Sequence, residues 1–214
     1  SILALDRSTG EVGTLSPEDC GFGYRSSRFK GDSRFLVLAV EFHLSPSDNS
    51  APIAYGQLAG ELGVEVGERV PLSVARETVL DLRRSKSMVV DPDDPDSVSA
   101  GSFFTNPLLT LADMADLTAR AEELLGPGDL PPSYPAPEGL AKTSAAWLIE
   151  RSGFSRGFGD GPIGLSRSHT LAIVNRGGGS TTELVSFAHG IAERVEQVFG
   201  IPLTPEPVFV GHHW

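Results

Sequence analysis

Apolar residues recur along this chain at two different spacings, and the switch between them marks out its elements. In ILALDRSTGEVGTL (2–15) short apolar stretches flank a polar run at 6–11 that contains Gly10, which predicts a hairpin of two strands. RFLVLAVEFHL (34–44), rich in β-branched and aromatic residues, predicts a further strand. SPSDNSAP breaks the pattern, so residues 45–52 read as a linker and a domain boundary. Beyond Ile53 the spacing turns helical. Residues 55–62 predict a short helix ended by Gly63, and Ser73 an N-cap for a helix reaching about residue 85, with Val74, Val79 and Leu82 on one face.

The acidic stretch DPDDPDS (91–97) carries two Asp-Pro pairs and reads as a turn; it lacks the Gly and distal Glu of an EF-hand loop. GSFFTNPLLT (101–110) predicts one strand and residues 111–125 a helix. The Pro-rich GPGDLPPSYPAPEG (126–139) excludes regular structure and is long enough for a functional loop or lid. KTSAAWLIERS (142–152) predicts a helix closed by Gly153, with Trp147 packed in the core. A strand at HTLAIVN, a turn at RGGG and a helix over 180–199 follow, the helix capped by Ser180 or Thr181 with Glu183 completing a capping box. PEPVFVG (205–211) predicts a last strand. The mixture is α+β.

Composition narrows the function classes. The formal net charge of −11 argues against nucleic-acid binding, which draws on surplus Lys and Arg, and no apolar run approaches a membrane span. Arg25, Arg28, Lys30 and Arg34 form one basic cluster and Arg83, Arg84 and Lys86 another, seven of the 17 basic residues in two short segments. Such local patches on an acidic background suit either a small anion such as phosphate or plain solvated surface. Cys20 is the only cysteine and no signal peptide is visible, which fits a reducing cytoplasm. The opening at Ser1 on an apolar, strand-like stretch carries the expectation that a preceding segment is missing.

Generic site motifs are absent. RGGG lacks the Lys-Ser/Thr of a P-loop and the order of a dinucleotide fingerprint, the five histidines have no HExxH spacing for zinc, and no GxSxG elbow presents a nucleophilic serine. The segments that resist a bland reading are GYRSS, AGSFFTNP and PEPVFVG.

Together with LRRSKSMVVDP, KTSAAWLIE and HTLAIVNRGG, and in this order over residues 20–211, these segments resemble the UDP-N-acetylenolpyruvoylglucosamine reductases, the MurB family of bacterial cell-wall synthesis. GYRxSxFK followed about seventy residues later by AGSFFxNP is a specific pairing. The resemblance implies a cytoplasmic bacterial flavoenzyme in which NADPH reduces FAD. Hydride then passes to the enolpyruvyl double bond of UDP-N-acetylglucosamine enolpyruvate, giving UDP-N-acetylmuramate.

By the same resemblance, Ser102 is the proton donor and Glu206 an assisting acid. Tyr24, Lys86 and Asn106 hold the substrate, and Tyr134 closes over the nucleotide. His169 and Arg156 occupy matching substrate positions where the family varies, and Arg83 lies near the flavin. The family's third catalytic residue, an arginine of the flavin-binding half, has no counterpart, and neither has its Gly-rich pyrophosphate segment. The resemblance therefore implies that residues 1–44 are the end of the FAD-binding domain, 45–52 a linker and 53–214 a mixed α/β substrate-binding domain. A chain limited to these parts is expected to bind FAD poorly and to be inactive alone. The competing reading is a non-catalytic UDP-sugar-binding module without the flavin half.

Overall fold

The structure, a computed structural model, describes residues 1–137 and 139–214, and the chain divides into two compact units, Ser1–Ser50 and Ala51–Trp214. In the first, β1 (Ile2–Asp6) lies between β2 (Glu11–Leu15) and β3 (Phe35–Val40), antiparallel to both. The polar run closes the hairpin because the Asp6 carboxylate accepts from the Ser8 amide and hydroxyl at 2.9 and 2.6 Å while Gly10 takes φ +78°. The strand expected over 34–44 ends at Val40. A helical turn that periodicity did not reveal, α1 (Pro17–Cys20), is held by a capping box between Ser16 and Asp19. It delivers Cys20 to a small core with Ile2, Ala4, Phe29 and Phe35.

Half of the first basic cluster serves this unit's own packing. Arg34 is bonded through two guanidinium nitrogens to Asp6, and the guanidinium carbons of Arg28 and Arg34 lie 4.9 and 5.0 Å from the Phe35 ring centre.

The second unit opens with α2 (Gly56–Leu62) and α3 (Leu72–Arg84), packed over Ile53, Ala59, Val70 and Ala75. Helix α3 starts after Pro71 rather than at a Ser73 cap: the proline's extended backbone (φ −52°, ψ 136°) sets the helix entry, so Ser73 falls inside the helix. The main core forms where β4 (Ser99–Ser102), β7 (Ile163–Leu165) and β8 (Ala172–Asn175) make an antiparallel sheet of order β4-β8-β7. A second ladder joins β5 (Leu108–Thr110) to β6 (Leu140–Lys142). Around these pack α4 (Leu111–Leu125), α5 (Ala145–Arg151) and α6 (Thr181–Phe199), whose buried Ala188, Ile191, Val195 and Phe199 recur at helical spacing. Ser180 and Glu183 form the expected capping box, and Gly200 closes α6 in the left-handed conformation. Among the described residues no helix is long and apolar enough to cross a membrane.

Two expected strands are corrected. GSFFTNPLLT is not one strand: β4 ends at Ser102, β5 begins at Leu108, and each pairs with a different partner. Pro107 lacks the N–H a ladder needs and restricts Asn106 before it. PEPVFVG makes a single bridge, Pro205 to Phe104, because prolines at 202, 205 and 207 interrupt any ladder. Both Phe103 and Phe104 are buried, in edge-to-face contact at 5.1 Å. Consecutive residues of a flat strand would point to opposite faces, so the broken strand is what lets both reach the core.

Candidate active site

Ser102 ends β4 just after a bulge. The register to β8 runs Ser99 to Val174 and then Ser102 to Ala172, so β4 carries one extra residue, and Gly101 with φ +77° supplies the left-handed step. A bulge of this kind turns the side chain that follows it, so the Gly-Ser pair sets where Ser102 points. Phe103, the next residue, donates to the Leu171 carbonyl (2.7 Å) and accepts from the Glu206 amide (2.8 Å). Around one residue the fold therefore assembles half-buried Ser102, half-buried Glu206 and the turn that carries His169.

That turn is tightly specified. The His169 carbonyl accepts from the Ala172 amide (3.1 Å), its Nδ1 accepts from the Leu171 amide (3.0 Å), and Thr170 donates to Glu150 on α5 (3.1 Å). Burial foremost, then the positive charges of Lys86 and Arg156, hold the half-buried His169 imidazole below its ordinary pKa, with Glu150 opposing. Lys86 comes from the turn after α3 and Arg156 from the loop after α5. Two cations far apart in the chain thus both act on the His169 ring, and a shallow depression of about 410 Å³ is lined by Glu150, Arg151, Phe154 and Arg156. Lys86 Nζ donates to Gln57 on α2 (2.8 Å). Arg83 is exposed on the last turn of α3, where its carbonyl accepts from Lys86 and Met88, and Arg84 pairs with Asp81.

Asn106 has a structural task as well. Its Oδ1 accepts from the Ala145 amide at 3.0 Å, capping the start of α5, whose Ala145, Leu148 and Ile149 are fully buried. Its amide nitrogen is left to donate to a ligand. Ser102 and Asn106 are not aligned by strand alternation, because residues 103–107 are not a strand.

Tyr134 is exposed, yet its backbone is paired with Lys142 (2.8 and 3.4 Å). The Pro-rich segment is anchored further by the Thr143 hydroxyl on the Pro132 carbonyl (2.9 Å) and by Asp129, which accepts from Trp147 Nε1 (3.0 Å) and from Arg151. Trp147 combines this bond with packing on Phe199, ring centres 5.3 Å apart. The segment is thus pinned at several points; Glu138 in that stretch lies outside the described residues. Tyr24 belongs to the first unit, at the tip of a tight turn where Gly23 and Ser26 exchange backbone bonds and Arg25 takes φ +53°. A Cβ at Gly23 would stand 2.7 Å from Ser26 Oγ, so a larger residue there would push the Ser26 hydroxyl aside.

Sequence reasoning missed Glu150, Thr170 and a set of buried polar residues below the turn: Ser87, Asp96 and Ser166. Asp96 lies in a stretch that reads as a polar turn. It is 3 % exposed, and nothing in its local sequence distinguishes it from the other aspartates there.

Comparison with known proteins bears on the same region. Residues 93–210, which contain Ser102, Asn106, Tyr134, Arg156, His169 and Glu206, match the family model for the UDP-N-acetylenolpyruvoylglucosamine reductase C-terminal domain. A UDP-N-acetylenolpyruvoylglucosamine reductase from Thermobifida fusca is 51% identical over 210 residues, covering 98% of this chain and 59% of the relative. One from Streptomyces avermitilis is 52% identical over 212 residues, covering 98% and 58%. The chain thus spans about three fifths of the length of the curated relatives it matches. With more than half of its residues inside that domain match, the chain belongs to the UDP-N-acetylenolpyruvoylglucosamine reductase family.

Proposed function

We propose that this chain supplies the substrate seat and the proton donor of an FAD-dependent, NADPH-driven reductase. The enzyme would convert the enolpyruvyl group of UDP-N-acetylglucosamine enolpyruvate to the lactyl ether of UDP-N-acetylmuramate, in peptidoglycan precursor synthesis in the bacterial cytoplasm. The observation that carries the reading is that the turn of His169, whose ring feels the charges of Lys86 and Arg156, is bonded through the Leu171 carbonyl to Phe103, the residue after Ser102, with Glu206 bonded to the same Phe103. Two fixed cations and an imidazole suit a diphosphate; a serine at the end of a bulged strand suits delivery of a proton to a defined carbon.

On this reading Lys86 and Arg156 take the negative charge of the diphosphate, and the Asn106 amide donates from the opposite end of the Phe-Phe segment. Tyr134 covers the nucleotide, and Tyr24 is assigned to substrate binding as well. Ser102 gives its proton to the carbon beside the carboxylate, where negative charge collects once hydride has added to the terminal carbon, and this protonation completes the reduction. Glu206 assists as an acid. A neutral serine is a weak acid in water, so the half-buried setting of both groups matters to the step.

Flavin, when bound, supplies the hydride, and NADPH renews it. Among the described residues only Arg83 is assigned to it, and Arg83 is an exposed side chain on a helix end. The residues here do not by themselves fit a flavin. We assign residues 1–44 to the end of the flavin-binding domain, 45–52 to the linker and 53–214 to the substrate domain. The rest of the flavin site then belongs to the part of the relatives' length that this chain does not span, and the chain alone is inactive.

Titrating the chain with UDP-N-acetylglucosamine in a calorimeter tests the seat: heat and a raised melting temperature are expected, and silence with every UDP-sugar would refute it. In an enzyme completed with a flavin-binding segment, Ser102→Ala should leave flavin reduction by NADPH intact. Flavin reoxidation by substrate should slow by about 10²–10⁴-fold, the usual contribution of a positioned proton donor. Normal reoxidation would remove Ser102 from the role, and failure of the completed protein to take up flavin would leave a UDP-sugar-binding module.

A further inference from the structure

A fold gains little stability from burying a carboxylate and several hydroxyls, since desolvation offsets most of what their bonds return. Below the His169 turn this chain does so repeatedly: Asp96 is 3 %, Ser166 0 % and Ser87 6 % exposed. Their bonds run in one direction. Asp96 Oδ2 accepts from the Arg167 amide at 2.6 Å and lies 3.5 Å from the Ser166 hydroxyl. Ser166 Oγ accepts from the Ser168 amide (3.0 Å), and the hydroxyls of Ser168 and Ser87 lie 2.9 Å apart. Ser87, the neighbour of Lys86, is held at φ +54°, a backbone that non-glycine residues rarely adopt.

Behind Asp96, its other carboxylate oxygen faces Arg176 Nε at 3.8 Å, while the remaining Arg176 nitrogens bind the carbonyls of Gly159, Gly161 and Leu165. The network therefore starts at a buried charge pair and ends at Ser168 beside His169 and Ser87 beside Lys86.

We propose that Asp96 is a positioning residue which, through Ser166, Ser168 and Ser87, holds Lys86 and His169 in the spacing that seats the diphosphate. The proposal rests on the functional reading above and adds to it a residue outside the ligand contacts. It also defines the state of the imidazole. The Leu171 amide can only donate, so Nδ1 accepts and the neutral ring carries its proton on Nε2. The charged groups acting on this ring are Lys86, Arg156 and Glu150. A well-held turn keeps the ring half-buried and the two cations close, and loosening it relaxes both.

The test follows His169 by long-range ¹H–¹⁵N spectra across a pH series, and UDP affinity by calorimetry, in the unmodified chain, Asp96→Asn and Ser87→Gly. Glycine suits the left-handed backbone at 87, so that variant removes the link without straining the chain. The unmodified chain should show one tautomer, protonated at Nε2. Both variants should move the His169 midpoint up toward the ordinary histidine value, mix the tautomers, and weaken UDP binding about tenfold.

A purely structural Asp96 would lower the melting temperature and leave the tautomer, the midpoint and the UDP affinity unchanged, which overturns the proposal. Should Asp96→Asn fail to fold, Ser166→Ala cuts the same path one link further on and decides the same question. If the unmodified chain binds no UDP, the functional reading falls, while the His169 midpoint in the variants still decides the positioning role.

Discussion

Asn106 offers the sharpest separation of structure from binding, because its two side-chain ends do different things. Replacing it with alanine strands the Ala145 amide, a donor on a residue with no exposed surface at the start of α5. Leaving a buried donor unsatisfied costs about 1–3 kcal/mol. In a domain of this size each kcal/mol moves the melting temperature by about 2–4 °C, so Asn106→Ala should melt roughly 2–12 °C lower. Asn106→Asp keeps an acceptor of the same shape and places negative charge at a helix N-terminus, which is favourable. It should melt at or above the unmodified chain. The same variant loses the amide donor and sets a carboxylate against a diphosphate, so its UDP affinity should fall at least as far as that of the alanine variant. Scanning calorimetry and UDP titration on the three proteins read both effects. Equal melting of the alanine variant and the unmodified chain would refute the capping argument. Unchanged UDP affinity in Asn106→Asp would take Asn106 out of the seat.

Because the folded-state pKa of His169 is depressed, the folded chain binds fewer protons there than the unfolded chain; that contribution is full above about pH 6.5 and is lost as the pH falls through that value toward the lowered one. Denaturant titrations between pH 7.5 and 5 should therefore show a shallower loss of stability in His169→Gln than in the unmodified chain, and identical slopes would contradict the assignment. Asp129→Ala removes the acceptor shared by Trp147 and Arg151, and limited proteolysis should then cut faster within 126–137; an unchanged cutting rate would mean the other anchors suffice. Gly164→Ala would place a Cβ 2.5 Å from Arg176 Nη1 and 2.8 Å from the Phe158 carbonyl. The backbone contact cannot yield cheaply, and a loss of about 1–3 kcal/mol is expected in chemical denaturation, the usual range for overpacking.

How much of this was legible from residue order depends on how far apart the interacting groups lie. The capping box of α6, the glycine ends at Gly63 and Gly200 and the helical stripe of Ala188, Ile191, Val195 and Phe199 depend on groups within a few residues of one another. A window on the sequence contains all of them. The same logic misled where a distant partner took over. GSFFTNPLLT has the composition of one strand, but β8 and β6 claim its two ends separately. PEPVFVG has strand-like residues whose prolines leave a single bridge. Ser73 has the chemistry of a cap, and Pro71 two residues earlier already sets the helix entry.

By itself the sequence determined the α+β class, most of the helices, and, through a run of motifs in a fixed order, the family. Only the tertiary structure decided that Gly101 is a bulge that turns Ser102, that Asn106 spends its oxygen on α5, and that the charges of Lys86 and Arg156 act on His169, with a buried Asp96 behind its turn. The physical reason is range. Capping and periodicity are settled by hydrogen bonds and burial within a few residues, whereas a bulge register, an acceptor supplied to another helix and a buried charge are defined by partners tens of residues away, which the residue's own neighbours do not encode.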